Sequence, residues 1–377
     1  MNSGEKAAKI IDLIKGYEKG ELDQERVAVE IGEYAKRYGT PIISGNTVIF
    51  VYVGFATKVS VIGDWNGWDP NADPMERIGI TPVFYLIKEF PLDARLEYKL
   101  IVDKKRILDP LNPLKSEDGV NSEIRMPAYK PPEFISSNIV EVYGIRGKLK
   151  DFSSFLETRR VQVYTPPGYE YSSTKYPLLV VNDGTSYLTR AKLTILLDYA
   201  ILKGEIAPIL AVLVDAQAKR EYALDEKYAE FVAFEVIPLI FSNYRVDKDK
   251  VCILGASLGG LASLFIGISH PRIFKFIISQ SGLFFKKHEF TRLGFNVKKD
   301  IFDFLEEPRE SMNKIFLEWG VYEHILGVNI TKRNEELYRE LLRKRFETHK
   351  LVVNQGHNWT NWRDSLLFAL KFFFRLR

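Results

Sequence analysis

The sequence contains very little cysteine, since Cys252 is the only cysteine among 377 residues. A single cysteine excludes an internal disulfide and a thiolate metal cluster, and it argues against redox chemistry. Because Cys252 lies in the apolar run Val-Cys-Ile-Leu, we expect it to be a buried core thiol.

Long apolar runs and a strong charge of either sign are also missing. No stretch approaches the roughly 18 apolar residues that a membrane-spanning helix needs. The N-terminal stretch MNSGEKAAK lacks the apolar segment of a secretory signal, so we expect a cytoplasmic protein with no membrane partner. The net charge is only +4 and the basic residues are scattered, which argues against a nucleic-acid partner.

At this length, more than one hydrophobic core is expected. Residues 1–44 carry apolar side chains at helical spacing in two stretches, which predicts a helical hairpin. Asp23 suits the N-cap of the second helix and Gly39 its C-terminal end. The hairpin is too small to bury a core alone, so we expect it to dock on a larger body. It is also a candidate surface for a homo-oligomer.

Residues 45–130 change to strand patterns separated by Gly, Pro, Asn and Asp turns, which predicts a small antiparallel β-sandwich. The predicted strands are TVIFVYV, KVSVIG, VFYLIKEF, LEYKLIV and RILDP. The following segment, PAYKPPEF, has the proline content of a stiff linker between domains.

Residues 135–377 alternate between strands and helices, several strands being apolar without polar alternation. The predicted strands are RRVQVYTP, YPLLVVNDG, APILAVLVDA, KVCILG, FKFIISQSG, KIFLEWG and THKLVVNQ. Helices are predicted at 227–242, 258–269 and 328–345. This pattern is typical of an α/β domain with a mostly parallel sheet covered by helices on both faces.

The stretch ILGASLGGLASLF fits G-x-S-x-G between an apolar strand and a helix of small residues, with Ser257 at the turn. A serine held in such a turn needs small neighbours two positions away on either side, which Gly255 and Gly259 supply. We interpret Ser257 as a candidate nucleophile; the alternative is a glycine-rich turn with an incidental serine.

A serine nucleophile requires a base, and five histidines are available. His357 differs from the other four because it follows the last predicted strand and precedes the final helix. This position fits the chain order Ser, acid, His of enzymes with a nucleophile elbow. A structural histidine is the alternative.

The acid that orients the base should follow a strand between these two residues. The strand KIFLEWG is predicted to end at Gly320, which makes Glu323 the best candidate. Glu318 inside the strand and Asp300 and Asp303 before it are the alternatives.

Two backbone donors must stabilise the oxyanion of an acyl-transfer reaction. The Leu258 N–H directly after the nucleophile is the first expected donor. The second should come from the loop after the strand PLLVVN, with Thr185 preferred and Gly184 next.

These motifs together resemble an esterase family of α/β-hydrolases that includes the enterochelin (ferric enterobactin) esterases, feruloyl and acetylxylan esterases and the esterase D group. The resemblance runs from about Glu157 through GASLGG and SHPRIFKFIISQSG to QGHNWTNWRDSL. It implies an α/β-hydrolase fold with Ser257 as nucleophile and His357 as base, and it matches Glu323 to the acid of the family's G-x-x-D/E element.

The same resemblance bears on substrate contacts and on the N-terminal strands. Arg220 and Trp359 are candidate substrate-binding residues, although Arg220 could equally pair with a nearby carboxylate. The segment VSVIGDWNGWDP is similar to an early-set, glycogen-binding-like sandwich, in which Trp65 and Trp68 would either pack or stack on a sugar.

The function expected from the sequence is a serine carboxylic-ester hydrolase acting on a small-molecule ester such as a siderophore, with no metal or organic cofactor. The alternatives are a feruloyl or acetyl carbohydrate esterase, an acyltransferase using the same triad, and a non-catalytic glycan-binding scaffold.

Overall fold

The computed structural model describes residues 3–138, 141, 144–151, 159–307 and 313–376. The chain divides into two compact units. The first comprises Met1–Lys130, Val321–Gly327 and Val353–Gly356, and the second Pro131–Gly320, Val328–Val352 and His357–Arg377. The first division falls inside the segment predicted as a linker. The three domains predicted at 1–44, 45–130 and 135–377 stay a prediction.

The predicted helical hairpin is present as helices Ser3–Glu18 and Gln24–Tyr38. The Asp23 carboxylate accepts hydrogen bonds from the second and third backbone N–H groups after it, and Gly39 ends the helix with φ 81°. Both cap predictions are confirmed. Ile14 and Ile31 share a core with Ile49 of a neighbouring sheet, so the hairpin docks within its own unit as expected.

Two antiparallel sheets follow the hairpin in the first unit. One contains Ile42–Ser44, Thr47–Val53, Val83–Glu89 and Glu76–Arg77, in that spatial order; the other contains Val59–Gly63, Arg95–Val102, Lys105–Ile107 and Ser122–Arg125. Phe50 and Phe84 from the first sheet pack with Val61 and Leu100 from the second, which makes a sandwich. The predicted strands are confirmed, but the strand in RILDP is shorter than expected.

Trp65 lies in the turn after the strand Val59–Gly63, and its side chain packs inside this unit. Its ring lies 5.6 Å from Phe50 and 5.0 Å from Phe90, and its indole N–H donates to Asp73 at 2.6 Å. These contacts favour the packing alternative for Trp65. Trp68 is partly buried, and a sugar contact there stays a prediction.

The second unit is built on a mostly parallel sheet. Its strands lie in the order Glu347–Gly356, Lys314–Tyr322, Phe276–Gln280, Val246–Ala256, Tyr176–Asn182, Leu210–Val214, Val161–Thr165 and Lys148–Asp151. The pairs from Lys314–Tyr322 across to Leu210–Val214 are parallel, and the last two strands are antiparallel. Every strand predicted for this region is confirmed, and Lys148–Asp151 was missed.

Helices accompany this sheet as predicted, with small shifts in their ends. The α-helices are Gly184–Thr189, Leu193–Leu202, Glu226–Glu230, Ile237–Asn243, Leu258–Ser269, Lys287–Arg292, Ile301–Glu306, Ile330–Arg343 and Trp359–Phe374, with a π-helical segment at Phe231–Val236. Cys252 is a free thiol in the core, as expected, and burial raises its pKa. None of the described helices combines the length and apolarity needed to cross a bilayer.

Candidate active site

Ser257 occupies a strained turn between the strand Val246–Ala256 and the helix Leu258–Ser269. Its backbone has φ 58° and ψ −122°, a conformation that non-glycine residues rarely adopt and that is concentrated at functional sites. The surrounding backbone holds it there, because the Ser257 N–H donates to the Gln280 carbonyl at 2.9 Å and its own carbonyl accepts from the Leu283 N–H at 3.1 Å. The side chain stays partly exposed.

The glycines around the turn are needed for space at two positions. A Cβ on Gly255 would lie 2.2 Å from the Gly259 carbonyl oxygen, and one on Gly260 would lie 2.8 Å from Ser279 Oγ. A Cβ on Gly259 would come no closer than 3.7 Å to Asn182 Cβ, an ordinary contact. The expected requirement for small residues is therefore confirmed at Gly255 and wrong at Gly259, where the neighbouring atoms leave room.

This difference gives a matched pair of substitutions. Gly255→Ala is expected to lower the free energy of unfolding by about 1–3 kcal/mol through overpacking and to lower kcat by displacing the turn. Gly259→Ala, two residues after the serine, is expected to leave both within about 1 kcal/mol of wild type. Thermal unfolding and ester hydrolysis check this pair, and equal losses for the two variants would contradict the geometry described.

His357 follows the strand Glu347–Gly356, and its Nε2 lies 2.9 Å from Ser257 Oγ. That distance lets the imidazole accept the hydroxyl proton. The ring also packs edge to face with Trp362, with centroids 5.0 Å apart. The structure thus brings together the two residues predicted as nucleophile and base.

The candidate acids occupy different environments. The strand Lys314–Tyr322 runs two residues past its predicted end, which places the fully buried Glu323 directly after it. Glu318 is also fully buried, and its Oε2 accepts from the Gln280 side chain at 3.3 Å. Asp300 and Asp303 form the capping box of the helix Ile301–Glu306, which gives them a structural role. Glu323 therefore remains the predicted acid by its position in the chain.

The loop after the strand Tyr176–Asn182 changes the order of the predicted oxyanion donors. The Thr185 N–H donates to Asp215 Oδ1 at 3.0 Å, and the Thr185 hydroxyl donates to the other oxygen of the same carboxylate. Since Asp215 already accepts from the preferred donor, Gly184 becomes the stronger candidate. A Cβ on Gly184 would lie 2.5 Å from Leu213 Cβ, so this position requires glycine.

Buried polar groups fix this loop in place. The Tyr222 hydroxyl accepts hydrogen bonds from the Asp183 N–H at 2.9 Å and the Ala216 N–H at 3.1 Å. Burial raises the pKa of Asp183, the nearby Asp215 charge raises it further, and a hydrogen bond from Ser186 opposes the change. Burial also raises the pKa of Tyr222.

The two predicted substrate contacts lie on different elements. Arg220 is exposed on the turn Lys219–Tyr222. The neighbouring Glu221 carboxylate in that turn forms an ion pair with Arg159 at 2.5 Å. Trp359 is partly buried at the start of the final helix, with its ring 5.2 Å from Tyr187. Within the described ranges, no three His, Cys, Asp or Glu side chains are grouped to hold a metal ion.

Gln280 and Tyr187 were not predicted from the sequence. Gln280 is fully buried at the end of the strand Phe276–Gln280, where its backbone holds Ser257 and its side chain accepts from the Tyr187 hydroxyl at 2.8 Å. The available signal was an uncharged polar residue ending an apolar strand beside a Ser-Gly pair. Its hydrogen-bond partners come from distant parts of the chain and leave no local pattern.

A mostly parallel sheet, a serine on a strand-to-helix elbow and a histidine after the last strand define an α/β-hydrolase. The chain belongs to the family described as "Putative esterase", whose model matches residues 153–373. The resemblance stated from the sequence is therefore confirmed; its starting point near Glu157 lies outside the described residues.

Relatives and solved structures agree with this family. The chain is 27% identical to the iron(III) enterobactin esterase of Dickeya dadantii strain 3937 over 333 residues, 82% of this chain and 74% of the relative. It is 24% identical to the enzyme of that name from Escherichia coli O6:H1 strain CFT073 over 281 residues, 70% of this chain and 66% of the relative.

Among solved structures, the enterobactin esterase FES from Shigella flexneri, crystallised in the presence of enterobactin, matches with a TM-score of 0.66 and 22% identity. The match covers 87% of this chain and 92% of that chain. A ferulic acid esterase matches with a TM-score of 0.52 and 21% identity over 61% of this chain and 98% of its own. At these identities the structures establish the fold, and with the family match the chain is a carboxylic-ester hydrolase.

Proposed function

We propose that this protein hydrolyses carboxylic esters through an acyl-enzyme intermediate, with Ser257 as nucleophile, His357 as base and Glu323 as the acid that orients the base. The observation that carries the proposal is the 2.9 Å separation of Ser257 Oγ and His357 Nε2 at the strained elbow. A serine hydroxyl is a weak nucleophile until a neighbouring base accepts its proton.

In the first half of the reaction, His357 Nε2 takes the hydroxyl proton while Ser257 Oγ bonds to the ester carbonyl carbon. The Leu258 and Gly184 N–H groups stabilise the resulting oxyanion. The protonated imidazole then gives its proton to the leaving alcohol oxygen as the ester C–O bond breaks. In the second half, His357 takes a proton from water, the hydroxide bonds to the acyl carbon, and Ser257 leaves with the proton returned to its oxygen.

The substrate class that we propose is an ester of a catecholate siderophore such as iron(III) enterobactin. The relatives are named for action on iron(III) enterobactin. The enterobactin esterase of Shigella flexneri, which has a matching fold, was crystallised in the presence of 2,3-dihydroxy-N-benzoyl-serine. We propose Arg220 and Trp359 as substrate contacts. Arg220 is an exposed cation on the turn that carries Tyr222, whose hydroxyl binds the backbone beside Gly184, and a cation suits an acidic or phenolic ligand.

A substrate comparison tests this proposal. We expect kcat/KM for iron(III) enterobactin to exceed that for methyl ferulate by at least about 100-fold. Chromatography should detect the serine-amide fragments that hydrolysis of the siderophore releases. Arg220→Ala should raise KM for the siderophore and leave p-nitrophenyl butyrate hydrolysis unchanged, whereas the exposed neighbour variant Lys219→Ala should change neither.

Three outcomes would overturn parts of the proposal. A preference for methyl ferulate would favour a feruloyl esterase, and transfer of the acyl group to an added alcohol in preference to water would favour an acyltransferase. Failure to hydrolyse any of these esters would favour a non-catalytic scaffold on a hydrolase fold.

A further inference from the structure

We propose that Gln280 is a positioning residue. It holds the nucleophile turn, the start of the final helix and the oxyanion loop in a fixed arrangement relative to one another. The inference rests on the proposed function, because it takes Ser257 and His357 as nucleophile and base. Gln280 is fully buried and makes hydrogen bonds with both its backbone and its side chain.

The backbone of Gln280 connects directly to the nucleophile turn. Gln280 lies opposite Ala256 in the parallel pairing of Phe276–Gln280 with Val246–Ala256. Its carbonyl accepts from the Ser257 N–H at 2.9 Å. Because Ser257 is held in a conformation that serine rarely adopts, a shift of Gln280 would release the constraint on the nucleophile.

The amide nitrogen of Gln280 connects to the helix that follows His357. Nε2 donates to the Trp362 carbonyl at 2.8 Å and to Ser365 Oγ at 3.0 Å, with the longer contact to Glu318 Oε2 at 3.3 Å. A carbonyl can only accept, so this contact fixes which end of the amide is the nitrogen. The Trp362 ring in turn packs edge to face with His357, and its Nε1 donates to Ser281 Oγ at 2.8 Å. Gln280 thus holds the backbone of Trp362, and the next residue, Ser281, holds its ring. Both contacts fix the surface against which His357 packs.

The amide oxygen of Gln280 connects to the oxyanion loop. Oε1 accepts from the Tyr187 hydroxyl at 2.8 Å, and Tyr187 lies in the short helix that begins at Gly184. Tyr187 is fully buried, so its hydroxyl cannot exchange this partner for bulk water. One side chain therefore joins the helix carrying a proposed oxyanion donor to the helix that supports the base.

This arrangement predicts an effect on turnover rather than on substrate affinity. Small displacements of reacting groups cost about 10²-fold in rate, while binding surfaces away from the amide remain intact. We expect Gln280→Met, which keeps the length and removes the amide, to lower kcat by about 10²-fold and to change KM by less than about threefold. The rate at which a fluorophosphonate modifies Ser257 should fall by a similar factor, because it reports on the nucleophile without the substrate.

The matched control is Asn313→Leu. Asn313 is as deeply buried, and its amide nitrogen donates to the carbonyls of Gly267 and Phe274 at 3.1 and 2.6 Å. We expect this variant to lose thermal stability like Gln280→Met while kcat stays within about threefold of wild type. Each variant is assayed at the same interval below its own Tm.

Tyr187→Phe supplies a second test that removes one hydroxyl only. We expect kcat to fall by about tenfold at unchanged KM, and the double variant with Gln280→Met to be no slower than Gln280→Met alone. This variant decides the question if Gln280→Met fails to fold.

Different results would overturn the proposed function and this inference. Full activity in Ser257→Ala would overturn the proposed function. An inactive Ser257→Ala together with wild-type kcat in Gln280→Met or in Tyr187→Phe would overturn this inference alone. An equal loss of kcat in Asn313→Leu would overturn it too, since general destabilisation would then explain the effect.

Discussion

Replacing Ser257 with Ala is expected to lower kcat for ester hydrolysis by about 10⁶-fold, the loss typical of removing the nucleophile of a serine hydrolase triad. The physical reason is that no covalent intermediate can form, and the remaining donors can only assist direct attack by water. His357→Ala is expected to cause a loss of the same order, because the hydroxyl 2.9 Å from its Nε2 then keeps its proton.

The double variant carrying both substitutions should be no slower than either single variant, since the two residues act as one unit. His288→Ala is the control, because His288 is exposed on the helix Lys287–Arg292 and should leave kcat unchanged. Initial rates with p-nitrophenyl butyrate are measured for wild type and all four variants. Residual activity in Ser257→Ala within about tenfold of wild type would contradict the assignment of the nucleophile.

The second large effect is expected at the acid. Glu323→Gln should lower kcat by about 10⁴-fold, because an amide in place of the carboxylate favours the wrong imidazole tautomer and no longer stabilises the charged ring. The basis for choosing Glu323 is its burial directly after the strand Lys314–Tyr322 and its place between nucleophile and base in the chain.

Glu318→Gln is the matched control, since Glu318 is equally buried and lies five residues earlier, inside the strand Lys314–Tyr322. It keeps a side-chain oxygen that can accept from Gln280, so we expect a loss of less than about tenfold. Steady-state kinetics of the two variants distinguish the candidates. A large loss in Glu318→Gln alone would show that the acid assignment is wrong.

The sequence was sufficient to predict much of the fold because burial leaves a strong pattern. The strand Val246–Ala256 ends in an apolar run, and the helix Leu258–Ser269 that follows matched its predicted bounds. Glu76–Arg77 and Lys148–Asp151 were missed because their residues are exposed, so no apolar alternation marks them as strands. Ile42–Ser44 and Ser122–Arg125 were also missed although they contain buried residues, because three or four residues are too few to show a strand pattern.

The candidate site was predicted where it depends on local chain geometry and missed where it depends on tertiary contacts. Ser257 and His357 follow strands, and that position can be read directly from the sequence. The hydrogen bond between the Thr185 N–H and Asp215 joins two separate loops, so the preference for Thr185 over Gly184 could not be judged from sequence. Gln280 connects elements from Tyr187 to Ser365, and no local pattern records those contacts.

The proposed reaction requires that Ser257 form a covalent acyl intermediate during ester hydrolysis. The most direct measurement is rapid acid quenching of the protein with p-nitrophenyl butyrate, followed by digestion and mass spectrometry of the peptide containing Ser257. We expect a butyryl group to appear on Ser257 in wild type and on no residue of Ser257→Ala. Butyrylation of another residue, or rapid turnover by Ser257→Ala without any acylated peptide, would contradict it.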